Sequence, residues 1–360
     1  VFILEKNIWR RKKNLSGRKK TSAVRCCGAA KAARAGACDQ RLMVNSPCHG
    51  LFRNQLESRE MKVIVIGTGI MGTGIVAGLI AQRIPAVLLG RDPGRCAGAV
   101  RNARQIAAGL VADAKADGPP VECGLIESWN AWTGAAIVIE NLAEDLALKQ
   151  TLFRDLDTRV PADIPIGSNS SSYGISKIAA GLATRRRMFG AHYFMPAEIV
   201  PLVEVVLGAD SDPVLGGRVC ELFAAMNKKP VLVKKDIAGF LANRMQHALM
   251  REALSLIDAG IASPEDVDLA VRCSFGFRFA AAGPILQKEI SGWDTTLRAG
   301  TEIYPTLSNT ATVPACLVNN VAQGKIGMKS GVGFLKWTPE TINAAKAEYE
   351  RKLKAAFTLL

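Results

Sequence analysis

MKVIVIGTGIMGTG, residues 61–74, runs an apolar stretch straight into three glycines spaced G-x-G-x-x-G. Val63, Ile64, Val65 and Ile66 form an unbroken apolar run, the pattern of a parallel strand covered on both faces. Gly67 permits a tight turn, Gly69 leaves no side chain between the backbone and a phosphate, and Gly72 lets the following helix pack closely on the strand. The free N–H groups of that helix then face the anion. Glycines in this spacing are weak evidence alone. Here a strand precedes them, a helix is expected over residues 71–82, and a second apolar run, Ala86–Leu89, completes the start of a βαβ unit. The stretch therefore predicts an α/β fold that seats a dinucleotide pyrophosphate on a helix N-terminus.

The same alternation continues downstream. Residues 94–115 read as helix, 135–139 as a strand running into Glu140 and Asn141, 144–156 as helix, and 163–167 as a short strand that opens into SNSSS, residues 168–172. Strands over 187–194, 202–207 and 230–233 follow, with a helix over 213–226. This is the order of a Rossmann-like doubly wound parallel sheet. Beyond Asp236 the pattern becomes helical. Leu241, Met245, Leu249 and Leu256 fall on one helical face, while Ser263, Pro264 and Asp266 match an N-cap, a first-turn proline and an acidic third position. We divide the chain into a basic leader outside the fold (1–60), a dinucleotide-binding domain (61–236), an all-helical second domain (237–340) and a C-terminal surface helix (341–360).

With 360 residues and 49% apolar content the chain can bury two moderate cores. No apolar stretch approaches the ~20 residues of a membrane-spanning helix. Charge is uneven: residues 1–60 hold 14 Lys and Arg against 4 Asp and Glu, most of the formal net charge of +14. A nucleic-acid reading would rest on that leader alone, and no nucleic-acid or membrane partner is expected of the rest. The leader reads as translated upstream sequence, an organellar presequence or a basic arm, in that order. The chain opens with Val, shows no sustained periodicity there, and places Met61 directly before the first strand. The cysteines beyond the leader, at 96, 123, 220, 273 and 316, lack metal-ligand spacing, and the three histidines form no zinc-like pair. No metal is expected. The thiols read as reduced, which points to a cytoplasmic setting, or to the mitochondrial matrix if the leader is a genuine presequence.

His192 ends a strand-like run, and Glu204 follows twelve residues later inside the apolar stretch Leu202–Val206. A carboxylate in an apolar strand is costly without a partner. An imidazole oriented by a carboxylate is the usual equipment for taking an alcohol proton while hydride leaves the same carbon. The competing readings are a structural histidine and an edge-strand glutamate facing solvent. Ser168–Ser172 follows a strand of the nucleotide-binding sheet, where open α/β sheets bind ligands, or is simply a polar loop. Asn243 reaches substrate across a cleft or is a surface amide. Tyr193, Phe194 and Trp293 line an apolar pocket or belong to the core.

The chain from Met61 to about Trp337 resembles the L-3-hydroxyacyl-CoA dehydrogenase family. The resemblance is carried by GTGIMGTGI, VIENLAEDLALKQTLF, SNSSS, GAHYFMPAEIVPLVEVVLG, DIAGFLANR and GKIGMKSGVGF, in the family's order. It implies a Rossmann-like domain followed by a helical dimerisation and substrate domain, and hence a homodimer. It also implies a nicotinamide cofactor held by Gly67, Gly69, Ile70, Met71 and Gly72, with Glu144, Lys149 and Asn169 in the cofactor cleft. For the chemistry it implies Ser171 on the substrate hydroxyl, His192 as the catalytic histidine, Glu204 as the glutamate that orients it, and Asn243 as the active-site asparagine. The expected reaction is hydride transfer between the nicotinamide and the secondary alcohol or ketone of a 3-hydroxy acid or 3-hydroxyacyl thioester. The rival is a dinucleotide-binding protein without catalysis, a sensor or a crystallin-like structural relative.

Three features depart from that family's pattern. Met195 stands where members usually carry an asparagine three residues after the histidine. Gly90 stands where NAD-specific members carry an aspartate for the adenine ribose, with Arg91 next. A carboxylate binds two ribose hydroxyls whereas arginine attracts a 2′-phosphate, so the cofactor expectation is NAD or NADP, with Arg91 favouring NADP unless Asp92 serves the ribose. The segment between the second strand and Glu144 is also shorter than in members that clasp coenzyme A with a helical hairpin. The substrate expectation therefore covers small hydroxy or keto acids, including carnitine-like and sugar acids, as well as acyl-CoA.

Overall fold

The computed structural model describes residues 61–111, 119 and 121–359, so the basic leader lies outside the described residues. Strand β1 (Lys62–Ile66) passes through Gly67, at φ +114°, into α1 (Ile70–Ala81). Then come β2 (Ala86–Gly90), α2 (Pro93–Ala108), β3 (Val121–Leu125), β4 (Ala135–Glu140), α3 (Leu146–Arg159), β5 (Ile166–Ser168), a short α4 (Ile175–Ile178) and β6 (Met188–Tyr193). The sheet is completed by β7 (Leu202–Leu207) and, after α5 (Pro213–Ala225), by β8 (Lys229–Val233). Strand order is β3-β2-β1-β4-β5-β6-β7-β8.

The apolar run of β1 is continuous because both faces of the sheet are covered. Val63 and Val65 join the core formed with α1, α2 and α5, while Ile64 and Ile66 join the core formed with α3 and α4. The turn after β1 is equally constrained. A Cβ at Gly67 would meet Asn141 O at 2.5 Å, and one at Gly72 would overlap the Gly67 carbonyl oxygen; one at Gly69 meets nothing within 4 Å.

The structure departs from the sequence expectation in three places. β3 is an additional strand, half-exposed at the sheet edge, and its sequence VECGL carries no apolar run to announce it. The helix expected to reach residue 115 stops at Ala108, capped by Gly109. The sheet is also not wholly parallel: β6 and β7 pair antiparallel, and β8 runs with β7. Only residues 194–201 connect β6 to β7, too few for a parallel crossover, so the chain must double back.

The remaining elements are helices: α6 (Ala242–Asp258), α7 (Pro264–Cys273), α8 (Phe275–Phe279), α9 (Pro284–Ser291), α10 (Trp293–Ile303), α11 (Ala315–Ala322) and α12 (Pro339–Phe357). Ser263 caps α7 by accepting from the Asp266 amide at 3.1 Å. These helices leave much apolar surface open. Beyond Phe240, Leu254 alone is buried among the large apolar side chains of the described residues, whereas Phe277, Ile290 and Leu297 are each more than two-thirds exposed.

Two glycine replacements should separate packing from binding. Gly72→Ala forces α1 off β1 and should lower stability by about 2 kcal/mol or more. Gly69→Ala should melt like the parent, since its Cβ projects into open space. Thermal melts of both variants check this; equal melting temperatures would remove the close-packing role of Gly72.

Candidate active site

Antiparallel pairing of β6 and β7 sets His192 directly opposite Glu204. Both are buried, at 4% and 0% exposure. Glu204 Oε2 lies 2.7 Å from His192 Nδ1. Its other oxygen, Oε1, accepts from the backbone amides of Ala242 (2.7 Å) and Leu241 (3.1 Å), the N-terminus of α6. That helix has no side-chain cap of its own, so the carboxylate that faces the histidine is also its cap, placed where negative charge is favourable. With Glu204 ionised at the positive end of α6, its Oε2 can only accept, so Nδ1 carries the proton and donates. Nε2 is left as the working nitrogen.

The ring is further fixed edge-on between Phe194 (centroids 4.5 Å apart) and Phe240 (5.3 Å). Phe240 is buried and holds a left-handed backbone, φ +48°, after Gly239 at φ +73°. A bulky residue rarely adopts that conformation, at a cost of about 1–3 kcal/mol. Here it turns the chain so that α6 starts at Glu204. Asn243, half-buried in the first turn of α6, is thereby carried to the same end of the sheet as His192.

A second polar cluster lies at the ends of β4 and β5. Lys149 is 1% exposed, and its ammonium is committed to Glu140 Oε1 (2.7 Å), Leu142 O (3.4 Å) and Glu144 Oε2 (3.4 Å). Glu140, wholly buried, also accepts from the Ser168 hydroxyl (2.6 Å) and the Leu142 amide. Glu144 accepts from Ser170 Oγ (2.6 Å) and the Ser172 amide (2.8 Å). Partial burial pushes the Glu144 carboxyl up, but these hydrogen bonds and the Lys149 charge outweigh it and hold it below its ordinary value. Lys149, expected in the cofactor cleft, thus works inside the cluster through the two glutamates. Ser171, at the exposed turn of the loop the cluster braces, is left open to a ligand.

Asn169 joins the two clusters: its Nδ2 donates to Asn141 Oδ1 (2.8 Å), and its Oδ1 accepts from the Tyr193 amide, next to His192 (2.7 Å). Asp236, in the linker before α6, accepts from the Ser176 amide (2.8 Å) and fits against Gly174, where a Cβ would meet it at 2.5 Å. Lys228 fastens the segment after His192, donating to Ala197 O (2.6 Å) and Val200 O (3.0 Å); burial pushes its ammonium down to about 8 despite Glu198 nearby. Ser168 and Ser170, part of the stretch expected to meet a ligand, are instead bonded to Glu140 and Glu144, while Glu140, Asp236, Lys228 and Phe240 were not expected at the site. Of the expected aromatics, Tyr193 is buried against Phe223, Phe194 touches His192, and Trp293 is exposed with its indole N–H on Glu289. Met195 is 66% exposed.

The glycine turn fits a dinucleotide. Gly69 caps α1 with no side chain, no acidic residue lies in the first turn, and the space a Cβ would fill at Gly69 is open. Ile70, 79% exposed, and Met71 start the helix beside that space. Among the described residues no cluster of His, Cys, Asp and Glu could hold a metal ion.

Comparison with known proteins identifies the family. The profile of the 3-hydroxyacyl-CoA dehydrogenase NAD binding domain matches residues 62–237, and that of the 3-hydroxyacyl-CoA dehydrogenase C-terminal domain matches residues 239–337. The 5-formyl-3-hydroxy-2-methylpyridine 4-carboxylate 5-dehydrogenase of Mesorhizobium japonicum is 32% identical over 83% of this chain and 97% of its own length. An L-carnitine dehydrogenase of Oceanobacillus iheyensis is 31% identical over 66% of this chain and 78% of its own. Among solved structures, that of a 5-formyl-3-hydroxy-2-methylpyridine 4-carboxylic acid 5-dehydrogenase, described as an NAD+-dependent dismutase, superposes with a TM-score of 0.75. It shares 30% identity and covers 82% of this chain and 96% of its own.

Ser170→Ala removes a hydrogen bond that holds the Glu144 carboxyl low. A depressed carboxylate contributes stability above its unfolded value, 4.5, which is lost as pH falls through the folded one. The variant should therefore be less stable than the parent at neutral pH, with the gap closing below about pH 4.5. Denaturant unfolding from pH 3 to 8 measures the gap; a difference that does not change with pH would dissociate Ser170 from the Glu144 charge.

Proposed function

The chain belongs to the 3-hydroxyacyl-CoA dehydrogenase family, and we propose that it uses His192 as its acid–base residue on a small hydroxy or keto acid. It is an NAD(P)-dependent oxidoreductase acting on a CH–OH group. The observation that carries the role of His192 is the buried Glu204 carboxylate, whose two oxygens hold Nδ1 of the ring and the N-terminus of α6.

Gly67, Gly69, Ile70, Met71 and Gly72 would hold the cofactor, with Glu144 and Asn169 at the cleft. Bound there, the nicotinamide supplies the hydride acceptor in oxidation and the hydride donor in reduction. His192 Nε2 takes the hydroxyl proton as the alcohol is oxidised and returns it when the ketone is reduced. Glu204 stabilises the positive charge the ring gains and keeps it from turning. Ser171 and Asn243 hold the reacting oxygen from the loop after β5 and from α6. A dinucleotide-binding protein without catalysis would have no need of a buried His–Glu pair flanked by two aromatic rings.

Two observations support a small substrate. Only twelve residues separate the end of α2 from β3, short for a helical hairpin that would clasp coenzyme A. The relative that acts on a pyridine carboxylate aligns over nearly its whole length. We further propose that a second copy of this chain covers the open stripe of α6, where Met245 and Leu249 are exposed, together with Ile290 and Leu297.

Steady-state kinetics with NADH, using a panel of small keto acids beside acetoacetyl-CoA, tests the enzyme reading. His192→Gln should lower turnover by about 10² to 10⁴ while leaving NADH binding intact, and a small acid should exceed the thioester in kcat/KM. Near-normal turnover in the variant would remove His192 from its role, and a preference for acetoacetyl-CoA would return the thioester as substrate. Sedimentation should show a dimer at micromolar concentration; a monomer there would leave the helical surface unexplained by self-association.

A further inference from the structure

In a doubly wound sheet the adenosine ribose lies beyond the C-terminal end of the second strand. There a carboxylate about twenty residues after the glycines binds the ribose hydroxyls, or an arginine accommodates a 2′-phosphate. In this chain that end is Gly90, followed by Arg91 and Asp92. No side chain fits at Gly90 as the strand stands: a Cβ would lie 2.6 Å from Cys96 Sγ and 2.8 Å from Thr68 Cγ2. Cys96 is buried, with its thiol directed to Gly124 O at 3.6 Å, and the Gly90 carbonyl is tied to the Ile126 amide at 2.9 Å. The strand end is therefore closed to the carboxylate that would take the ribose diol.

Asp92 does not replace it. It is the N-cap of α2, and its Oδ1 accepts from the Arg95 amide at 2.7 Å, which turns the carboxylate back along its own helix. What remains is Arg91. It is exposed, and among the described residues its guanidinium meets no carboxylate and no hydrogen-bond acceptor. A planar guanidinium pairs with a phosphate through two charge-assisted hydrogen bonds, and the missing carboxylate removes the charge that would repel one.

We propose that this chain accepts NADPH at least as readily as NADH, and that Arg91 is the residue that takes the 2′-phosphate. The inference rests on the dehydrogenase reading above and concerns only the cofactor's adenosine end.

Fluorescence titration of the full chain with NADH and with NADPH tests it, beside Arg91→Ala and Arg91→Asp, with melting curves to show that each variant is folded. NADPH should bind at least as tightly as NADH to the parent. Arg91→Asp should weaken NADPH by about tenfold or more while NADH binds as before or better. Tighter binding of NADH than NADPH by the parent would overturn the proposal and leave the dehydrogenase reading standing. An NADPH-to-NADH ratio unchanged in both folded variants would overturn the role of Arg91. Binding of neither nucleotide by the folded parent would overturn the dehydrogenase reading itself.

Discussion

Glu204 is a charge enclosed in protein, and most of the site's geometry follows from keeping it satisfied. A buried carboxylate is tolerated only when donors surround it. Its donors come from separate parts of the chain: the His192 ring on β6 and two amides at the start of α6, 37 and 38 residues along the chain. Withdrawing any of them leaves a buried charge short of a partner, at a cost of about 1–3 kcal/mol. The arrangement proposed for catalysis is thus also a folding constraint. The sheet cannot keep Glu204 in place without also fixing the ring of His192 and the start of the helix that carries Asn243.

The Lys149 cluster repeats this logic at the neighbouring strand ends. One ammonium serves two glutamates, and those glutamates hold both sides of the serine loop, through Ser168 on one and Ser170 and Ser172 on the other. A buried ion pair adds little net stability by itself, but losing one partner costs about 3–5 kcal/mol. Its contribution is therefore to specify one loop conformation. Asn169 carries that specification across to β6, because the same amide side chain bonds Asn141 and the backbone beside His192. Loop and histidine are positioned as one body.

The sequence revealed most where a local pattern has a single physical meaning. The run from Val63 to Gly72 admits a strand, a turn and a close-packed helix, and these form where expected. Glu204 was legible as a buried glutamate needing a partner, since it interrupts an apolar stretch. Its second task was not, because capping a helix beyond residue 240 depends on a left-handed turn at Gly239 and Phe240 that nothing in GFLANR announces. The burial of Lys149 did leave a signal: Lys149, Phe153 and Leu156 recur at helical spacing, and all three face the core of α3. A lysine on an apolar stripe asks for a buried carboxylate, and Glu140, ending the apolar run of β4, answers it. Strand β3 had no such signal, because an edge strand that is half-exposed needs no apolar alternation.

Departures from the family pattern fall outside these buried clusters. Met195 and Arg91 are exposed, and neither takes part in the hydrogen bonds that hold Glu204, Glu140 or Lys149. A change at an exposed position costs stability little, usually within about 0.5 kcal/mol, whereas a change within either cluster strands a charge. The fold therefore separates two kinds of residue by burial. The proposed acid–base groups cannot be altered without disturbing the sheet, while the exposed residues after β2 and after the histidine are free to differ. Gly90 marks the border between them. It lies inside the sheet, where the packing of Cys96 and Thr68 denies it a side chain, so any side chain offered at this strand end must come from the exposed residue that follows.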